Sequence, residues 1–195
     1  MNHKAVFIYG FAKGANLPYT MRAVNKAHAL HKGQKRKDGT DYVEHVIATA
    51  HLLLSHGIKD DIVLAASILH DAIEDTEYTY EKMDKDFCDD IVNLVRMLTK
   101  TENIPLDFYY ERISRNISAL AIKAADRTHN ISDMVKAFSI EKMEEYVDET
   151  EKFILPQMKK ARKMNIEFGD LFVALAAHIN AVILVIKALI EQSKE

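Results

Sequence analysis

Hydrophobic positions along most of the chain recur every three or four residues, as on the buried face of an amphipathic helix. The pattern predicts helices over residues 20–31, 42–56, 61–76, 105–114, 117–138, 139–164 and 168 to the C-terminus, with two short helices within 80–100. Pro156 is expected to kink or break the helix over 139–164. Alternating apolar and polar positions never persist beyond a few residues, and 6–9 is the only plausible strand. The sequence therefore predicts an all-α fold.

Two of these helices are unusually apolar. Residues 62–69 are apolar nearly all round, which is typical of a helix at the centre of a bundle. Residues 171–190 are also strongly apolar, but His178, Asn180 and Lys187 interrupt them and no belt of aromatic anchors flanks them. A membrane-spanning helix prefers about 20 residues with few or no charges. We therefore expect a C-terminal helix that is buried or packed on a partner, with no membrane contact.

Composition narrows the class of protein. The 195 residues, with 48% hydrophobic and 28% charged positions, indicate a globular chain with one domain over 1–195. The net charge of −3 lacks the basic field that drives nucleic-acid binding. The single cysteine, Cys88, excludes an internal disulfide and a Cys-rich metal site. Because no secretory signal is visible in the first residues, we expect a cytoplasmic protein.

The central apolar helix ends in four ionisable residues: His70, Asp71, Glu74 and Asp75. Burying such groups is costly unless they have partners or a metal. Helical spacing places His70 one turn from Glu74 and Asp71 one turn from Asp75, so all four can line one rim. The alternative is an acidic helix end with a core histidine.

Two further segments carry polar groups of the same kind. A basic turn that contains Arg36 and Lys37 precedes His45, and Asp126 interrupts an apolar run one turn before Asn130. Taken alone, the turn is compatible with a solvated loop and Asp126 with a surface ion pair. Together, two histidines and two aspartates form a nitrogen and oxygen ligand set that suits Mn²⁺, Fe²⁺, Co²⁺ or Zn²⁺. Helical bundles hold metals with inward-facing side chains of this kind.

The order of these motifs resembles the HD-domain metal phosphohydrolases, in which a histidine, a His-Asp pair and an aspartate recur as in His45, His70, Asp71 and Asp126. More specifically, it is similar to the hydrolase domain of the RelA/SpoT homologue family, which includes small stand-alone alarmone hydrolases. The matching motifs are residues 27–28, 33–39, 42–45, 69–76, 98–100 and 125–130. The resemblance covers about residues 20–146.

The resemblance implies a fold, a reaction and a set of roles. The fold is the HD-domain helical bundle, and the reaction removes pyrophosphate from the 3′ position of ppGpp or pppGpp (guanosine tetra- or pentaphosphate), giving GDP or GTP. One Mn²⁺ would be held by His45, His70, Asp71 and Asp126. Glu74 and Asp75 would orient and deprotonate water or protonate the leaving group. The substrate contacts implied are Arg36 on guanine, Lys37 on phosphate, and Lys100, Asn130, Lys142 and Tyr146.

Some positions depart from the family pattern. Both prolines that usually flank the histidine near residues 41–46 are missing, and Thr128 replaces a leucine. No segment matches the family's synthetase domain, so we expect hydrolysis only. The helices within 139–195 are expected to pack on the hydrolase domain or to form a homo-oligomer. Two other functions stay open: hydrolysis of another nucleotide, such as the 2′-phosphate of NADPH or a nucleoside phosphate, and non-catalytic nucleotide sensing, against which the intact acidic pair argues.

Overall fold

The computed structural model describes residues 2–101 and 103–194, so Met1, Glu102 and Glu195 lie outside the described residues. Within these ranges the chain forms twelve α-helices and no β-strand, apart from one isolated bridge between Lys35 and Asp41. The helices are α1 (His3–Gly14), α2 (Pro18–Leu30), α3 (Tyr42–Ser55), α4 (Asp61–Leu69), α5 (Ala72–Asp75), α6 (Tyr80–Asp86), α7 (Asp89–Leu98), α8 (Leu106–Ser114), α9 (Ile117–Asp133), α10 (Ile140–Glu149), α11 (Leu155–Met164) and α12 (Ile166–Gln192). The all-α prediction is confirmed.

Helix α4 lies at the centre of the bundle, as its all-round apolar surface predicts. Its residues from Val63 to Leu69 are buried, and it packs against α2, α3, α7 and α9. A helix enclosed on every side holds its C-terminal end rigidly. That end carries His70, so the core itself fixes the position of this side chain.

Helix α2 receives its N-terminal cap from another helix. Its own N-cap residue, Leu17, makes no side-chain cap. Instead, the Asp61 carboxylate on α4 accepts the backbone N–H of Tyr19 at 3.0 Å and that of Thr20 at 2.7 Å. These bonds satisfy two orphan donors and place a negative charge at the positive end of the α2 dipole. Asp61 therefore joins the start of α2 to the start of α4.

Two predicted elements differ from the structure. The strand suggested for residues 6–9 is wrong, because these residues lie inside α1. The helix predicted over 61–76 ends at Leu69, and the four-residue α5 follows a turn at His70 and Asp71. Nδ1 of His70 hydrogen-bonds to the carbonyl of Ser67 at 2.7 Å. A continuing α-helix would use that carbonyl for the N–H of Asp71, so the histidine competes with the next turn.

Pro156 changes the helix without ending it. A π-helical turn, Thr150–Ile154, joins α10 to α11 just before the proline, so the helical path continues to Met164. Proline has no N–H and its ring crowds the carbonyl four residues earlier. The wider π turn accommodates both effects. A 3₁₀ turn, Met134–Lys136, similarly extends α9.

Helix α12 has one buried and one exposed face. Eight of its residues, among them Phe172, Ile179 and Ile186, are buried where it packs on α9, α10 and α11. Leu184 and Val185 are instead 71% and 68% exposed. Within the described ranges, α12 is the one helix whose length and composition suffice to cross a membrane, and 28% of its apolar window is buried.

Candidate metal centre and the cavity beside it

Three buried side chains from different helices converge at the centre of the molecule. His45 lies in the first turn of α3, His70 follows α4, and Asp126 lies in the middle of α9. One ligand atom from each residue lies within 4.8 Å of the others. Asp126 Oδ1 is 3.2 Å from Nε2 of His45 and 3.6 Å from Nε2 of His70. The two imidazoles thus point at one carboxylate oxygen.

Asp71 completes the set of four predicted ligands. Its Oδ2 is 3.4 Å from Nε2 of His45, and its Oδ1 is 3.3 Å from Nε2 of His70. The turn that interrupts the predicted helix places this carboxylate beside both rings. The structure therefore brings all four residues together, although three elements supply them.

The chemistry of the cluster fits a divalent cation. Among the described residues, the buried Nε2 of His70 has no hydrogen-bond partner, while its Nδ1 is engaged with Ser67. Burial lowers the pKa of His70, but the Asp71 and Asp126 carboxylates outweigh it and raise the pKa to about 9. The pocket thus favours a positive charge at this nitrogen. A donor set of imidazole and carboxylate groups fits a divalent metal as that charge.

A lysine that the motif analysis did not single out fixes the Asp126 carboxylate. Lys123 Nζ lies 2.8 Å from Asp126 Oδ2, and Asn130 donates to Oδ1 at 2.6 Å. Burial alone raises the pKa of Asp126, but the Lys123 charge outweighs it and holds the pKa well below its usual range. The spacing of three residues on α9 was the available sequence signal for this pair.

The acidic pair is divided between two environments. Glu74 accepts the backbone N–H of Lys100 at 2.7 Å, and burial raises its pKa. Asp75 instead contacts the hydroxyl of Tyr42, which is also 2.7 Å from Asp71 Oδ2. A hydroxyl has one proton, so Tyr42 donates to one carboxylate at a time. Tyr42 is a second functional candidate whose role sequence reasoning missed.

A cavity of about 220 Å³ opens beside the metal cluster. Four cations line it together with Glu74 and three of the cluster residues, and three tyrosines contribute further polar groups. The lining residues are His70, Asp71, Glu74, Leu98, Lys100, Tyr109, Tyr110, Lys123, Asp126, Arg127, Lys142, Tyr146 and Glu149. Three of the predicted substrate contacts, Lys100, Lys142 and Tyr146, therefore share one cavity with the cluster.

The other predicted substrate contacts lie outside this cavity. Arg36 donates to Oδ1 of Asn130 at 2.9 Å and lines a separate cavity of about 320 Å³ behind His45. Lys37 lies over the ring of Phe138, with Nζ 5.3 Å from the ring centre. Asn130 bonds both Arg36 and Asp126, so it connects the basic turn to the metal cluster.

Arg127 is a buried cation rather than half of a surface ion pair. It is 2% exposed, donates to Glu149 and to the hydroxyl of Tyr110, and stacks 3.8 Å from the centre of the Tyr146 ring. These contacts tie α9 to α8 and α10 across the cavity. Its immediate neighbours Asp126 and Thr128 are polar, so the local sequence pattern gave no signal for its burial.

Comparison with known proteins places this architecture among HD-domain proteins. The HD-domain family description matches residues 23–107. The guanosine-3′,5′-bis(diphosphate) 3′-pyrophosphohydrolase MESH1 of Xenopus tropicalis is 33% identical over 140 residues, which cover 65% of this chain and 77% of that protein. The solved structure of a metazoan orthologue of SpoT that hydrolyses ppGpp aligns with a TM-score of 0.70 and 27% identity, over 84% of this chain and 93% of that one.

Longer bacterial proteins contain a similar segment. The probable GTP pyrophosphokinase of Mycobacterium leprae is 35% identical over 133 residues, which cover 64% of this chain. Those residues are 17% of the bacterial protein, and the comparable share in the Streptomyces coelicolor GTP pyrophosphokinase is 18%. This chain therefore spans less than a fifth of the length of these relatives.

Proposed function

Because the chain belongs to the HD-domain family of guanosine-bis(diphosphate) hydrolases that includes MESH1, we propose that it hydrolyses the 3′-pyrophosphate of ppGpp and pppGpp to GDP or GTP and pyrophosphate. One observation carries the proposal. The cavity lined by Glu74 and by three cluster residues, His70, Asp71 and Asp126, is also lined by four cations: Lys100, Lys123, Lys142 and Arg127. Lys123 and Arg127 are paired with Asp126 and Glu149, whereas Lys100 and Lys142 are exposed. Acidic metal ligands beside these two exposed cations suit a substrate with several phosphates, because the cations offset phosphate charge while the cluster holds a metal.

The residues of this cavity have distinct roles in the proposed reaction. His45, His70, Asp71 and Asp126 would hold a divalent metal, which would supply Lewis-acid charge for the phosphoryl oxygens and lower the pKa of a water molecule. Glu74 takes up or returns a proton, since burial raises the pKa of its carboxyl toward the working range of a general acid or base. The Lys100 N–H holds that carboxylate in one orientation. Catalysis of phosphoryl transfer needs mostly such positioning and charge stabilisation.

We further propose that Mn²⁺ is the physiological metal, held by His45, His70, Asp71 and Asp126. The imidazole and carboxylate donors without thiolate support a harder first-row ion. The remaining predicted roles belong to the same proposal. Asp75 shares the acid and base work with Glu74. The substrate contacts are Arg36 on guanine, Lys37 on phosphate, and Lys100, Asn130, Lys142 and Tyr146. Residues 1–195 act as one hydrolase domain in the cytoplasm, without a nucleic-acid partner.

Helix α12 is proposed to contact a second copy of the chain rather than a membrane. Its buried face, with Phe172 and Ile179, is packed on the domain, so insertion into lipid would expose that part of the core. The exposed face with Leu184 and Val185 remains for self-association. Light scattering on the wild type and on Leu184→Glu tests this: a dimer that the variant dissociates supports it, and a monomeric wild type contradicts it.

A product assay tests the proposed function. Purified, metal-stripped protein is incubated with ppGpp, with and without Mn²⁺, beside parallel NADPH and GTP reactions. GDP and pyrophosphate that form from ppGpp in a Mn²⁺-dependent manner support the proposal, and Asp126→Ala should abolish them. Phosphate release from NADPH or GTP alone would assign another substrate, whereas tight ppGpp binding without turnover would indicate a sensor.

A further inference from the structure

A second histidine lies directly behind one of the proposed metal ligands. His45 turns Nε2 toward Asp71 and Asp126, at 3.4 and 3.2 Å, and turns Nδ1 away from the cluster. That Nδ1 lies 3.1 Å from Nδ1 of His129, which is on α9 one turn after Asp126. The two ring centres are 5.0 Å apart. Neither the sequence motifs nor the proposed mechanism gives His129 a role.

The metal site determines which way this hydrogen bond runs. A nitrogen that binds a metal offers its lone pair, so Nε2 of His45 carries no proton in the metal-bound form. The proton of the neutral ring is then on Nδ1, which makes His45 the donor. His129 is therefore the acceptor at Nδ1, and its own proton is on Nε2. That nitrogen faces Asp133, whose Oδ2 is 3.6 Å away.

We infer that His129 is a positioning residue for the metal site: it accepts the Nδ1–H of His45 and thereby holds His45 in the tautomer and ring orientation that aim Nε2 at the metal. The inference rests on the proposed metal site and deepens it. His70 has a comparable outer partner, the carbonyl of Ser67 at 2.7 Å. Each histidine of the cluster is thus held from behind by an acceptor, as metal-binding histidines generally are.

The acceptor behind His45 is an imidazole, whereas the acceptor behind His70 is a backbone carbonyl. A carbonyl oxygen only accepts, whereas a neutral imidazole accepts at one nitrogen and donates at the other, so the tautomer of His129 decides whether it can accept from His45. His129 and His45 line one cavity of about 320 Å³, together with the cations Lys4 and Arg36 and the carboxylates Glu44 and Asp133. His129 also keeps the back of His45 away from solvent, with a side chain that is 17% exposed.

Two substitutions separate hydrogen bonding from packing. In His129→Asn, the amide oxygen takes roughly the place of Nδ1 and still accepts a hydrogen bond. In His129→Phe, the ring volume remains but the acceptor is lost. Calorimetric titration of metal-stripped protein with Mn²⁺ should show affinity weakened about 10- to 100-fold by the phenylalanine, the usual loss for such an outer partner, and much less by the asparagine. Excess Mn²⁺ should restore turnover of the phenylalanine variant.

Nitrogen NMR on the wild type tests the same inference without a substitution. In the Zn²⁺-loaded protein, which is diamagnetic, the imidazole signals should place the proton of His45 on Nδ1 and that of His129 on Nε2. A proton on Nδ1 of His129 would overturn the inference. So would a folded phenylalanine variant that binds Mn²⁺ as tightly as the wild type, or equal losses in both variants, which would indicate a packing role.

These readouts are independent of the substrate. If the wild type binds Mn²⁺ and shows the expected tautomers but does not hydrolyse ppGpp, the proposed function is contradicted and the role of His129 is supported. If the wild type hydrolyses ppGpp while His129 is protonated on Nδ1, the proposed function is supported and the role of His129 is contradicted.

Discussion

The backbone N–H of Lys100 donates to the side chain of Glu74 at 2.7 Å, across 26 positions of sequence. The turn that carries Lys100 is itself held from α8. The hydroxyl of Tyr109 donates to the carbonyl of Leu98 at 2.6 Å, and the Arg112 guanidinium donates to the two carbonyls that flank it. The orientation of the proposed catalytic carboxylate therefore depends on a helix that contributes no acid or base to the reaction.

Glu74→Gln should remove turnover and leave the metal site intact. The amide keeps an acceptor for the Lys100 N–H but cannot exchange a proton, so kcat should fall by about 10²- to 10⁴-fold. Steady-state kinetics and Mn²⁺ titration measure the two effects separately. Glu77→Gln, an exposed substitution nearby, is the matched control and should behave as the wild type. Full turnover by the Glu74 variant would exclude it as the acid or base.

Lys123→Met should make the metal-free protein less stable. The substitution keeps the length of the side chain but leaves the buried Asp126 carboxylate without its cation. The free energy of unfolding should fall by about 3 kcal/mol or somewhat less, because Asn130 still donates to that carboxylate. A metal replaces the missing positive charge, so Mn²⁺ should stabilise the variant more than the wild type. Urea unfolding of both proteins with and without Mn²⁺ measures the loss of stability in the metal-free variant and the stabilisation that Mn²⁺ adds to each.

The matched control for this substitution is Lys187→Met, which removes an exposed pair with Glu151. Such pairs contribute at most about 1 kcal/mol. Equal losses in the free energy of unfolding of the two variants would mean that the buried Lys123 pair stabilises the protein no more than an exposed pair does.

The ion pair between Lys26 and Asp86 should make stability depend on acid pH. Lys26 lies 2.8 Å from the Asp86 carboxylate and lowers its pKa, with help from the Tyr78 hydroxyl. A depressed folded-state pKa means that the stabilisation is present above the unfolded value of about 3.9 and is lost as pH falls through the lower folded value. Asp86→Asn should cost about 1 kcal/mol or less at neutral pH, because both side chains are about one-third exposed.

Urea unfolding of the wild type and Asp86→Asn from pH 7 downward tests this dependence. The difference between the two free energies of unfolding should shrink as the pH approaches and passes below 4. A difference that stays constant over the whole range would assign the effect to packing rather than charge.

Asp61→Ala should destabilise the protein by about 2 kcal/mol, at the upper end for a lost helix cap. The carboxylate accepts three hydrogen bonds, from two N–H groups and the hydroxyl of Thr20, and it joins two helices. Asp60→Ala is the comparison, since Asp60 caps only its own helix through the N–H of Val63. Thermal unfolding should rank the Asp61 variant below the Asp60 variant. The opposite order would show that the cap between helices carries little weight.

The sequence by itself determined the helical class, the central position of α4 and the family. These follow from local patterns: apolar spacing decides which face of a helix leaves water, and the order of His45, His70, Asp71 and Asp126 is read directly from the chain. The roles of these residues in metal binding stay predictions. The sequence did not predict that α4 ends at Leu69. That end depends on the hydrogen bond between His70 and the Ser67 carbonyl, which forms because neighbouring side chains hold the His70 ring in place.

Only the tertiary structure decided which side chains meet. Lys100 reaches Glu74 because α8 fixes its turn, and His129 lies behind His45 because α3 packs on α9. Arg36 lines a different cavity from three other predicted substrate contacts, Lys100, Lys142 and Tyr146. Spacing along a chain sets the direction of a side chain within its own helix. Distances between helices follow from how their surfaces pack, which depends on residues far apart in the sequence.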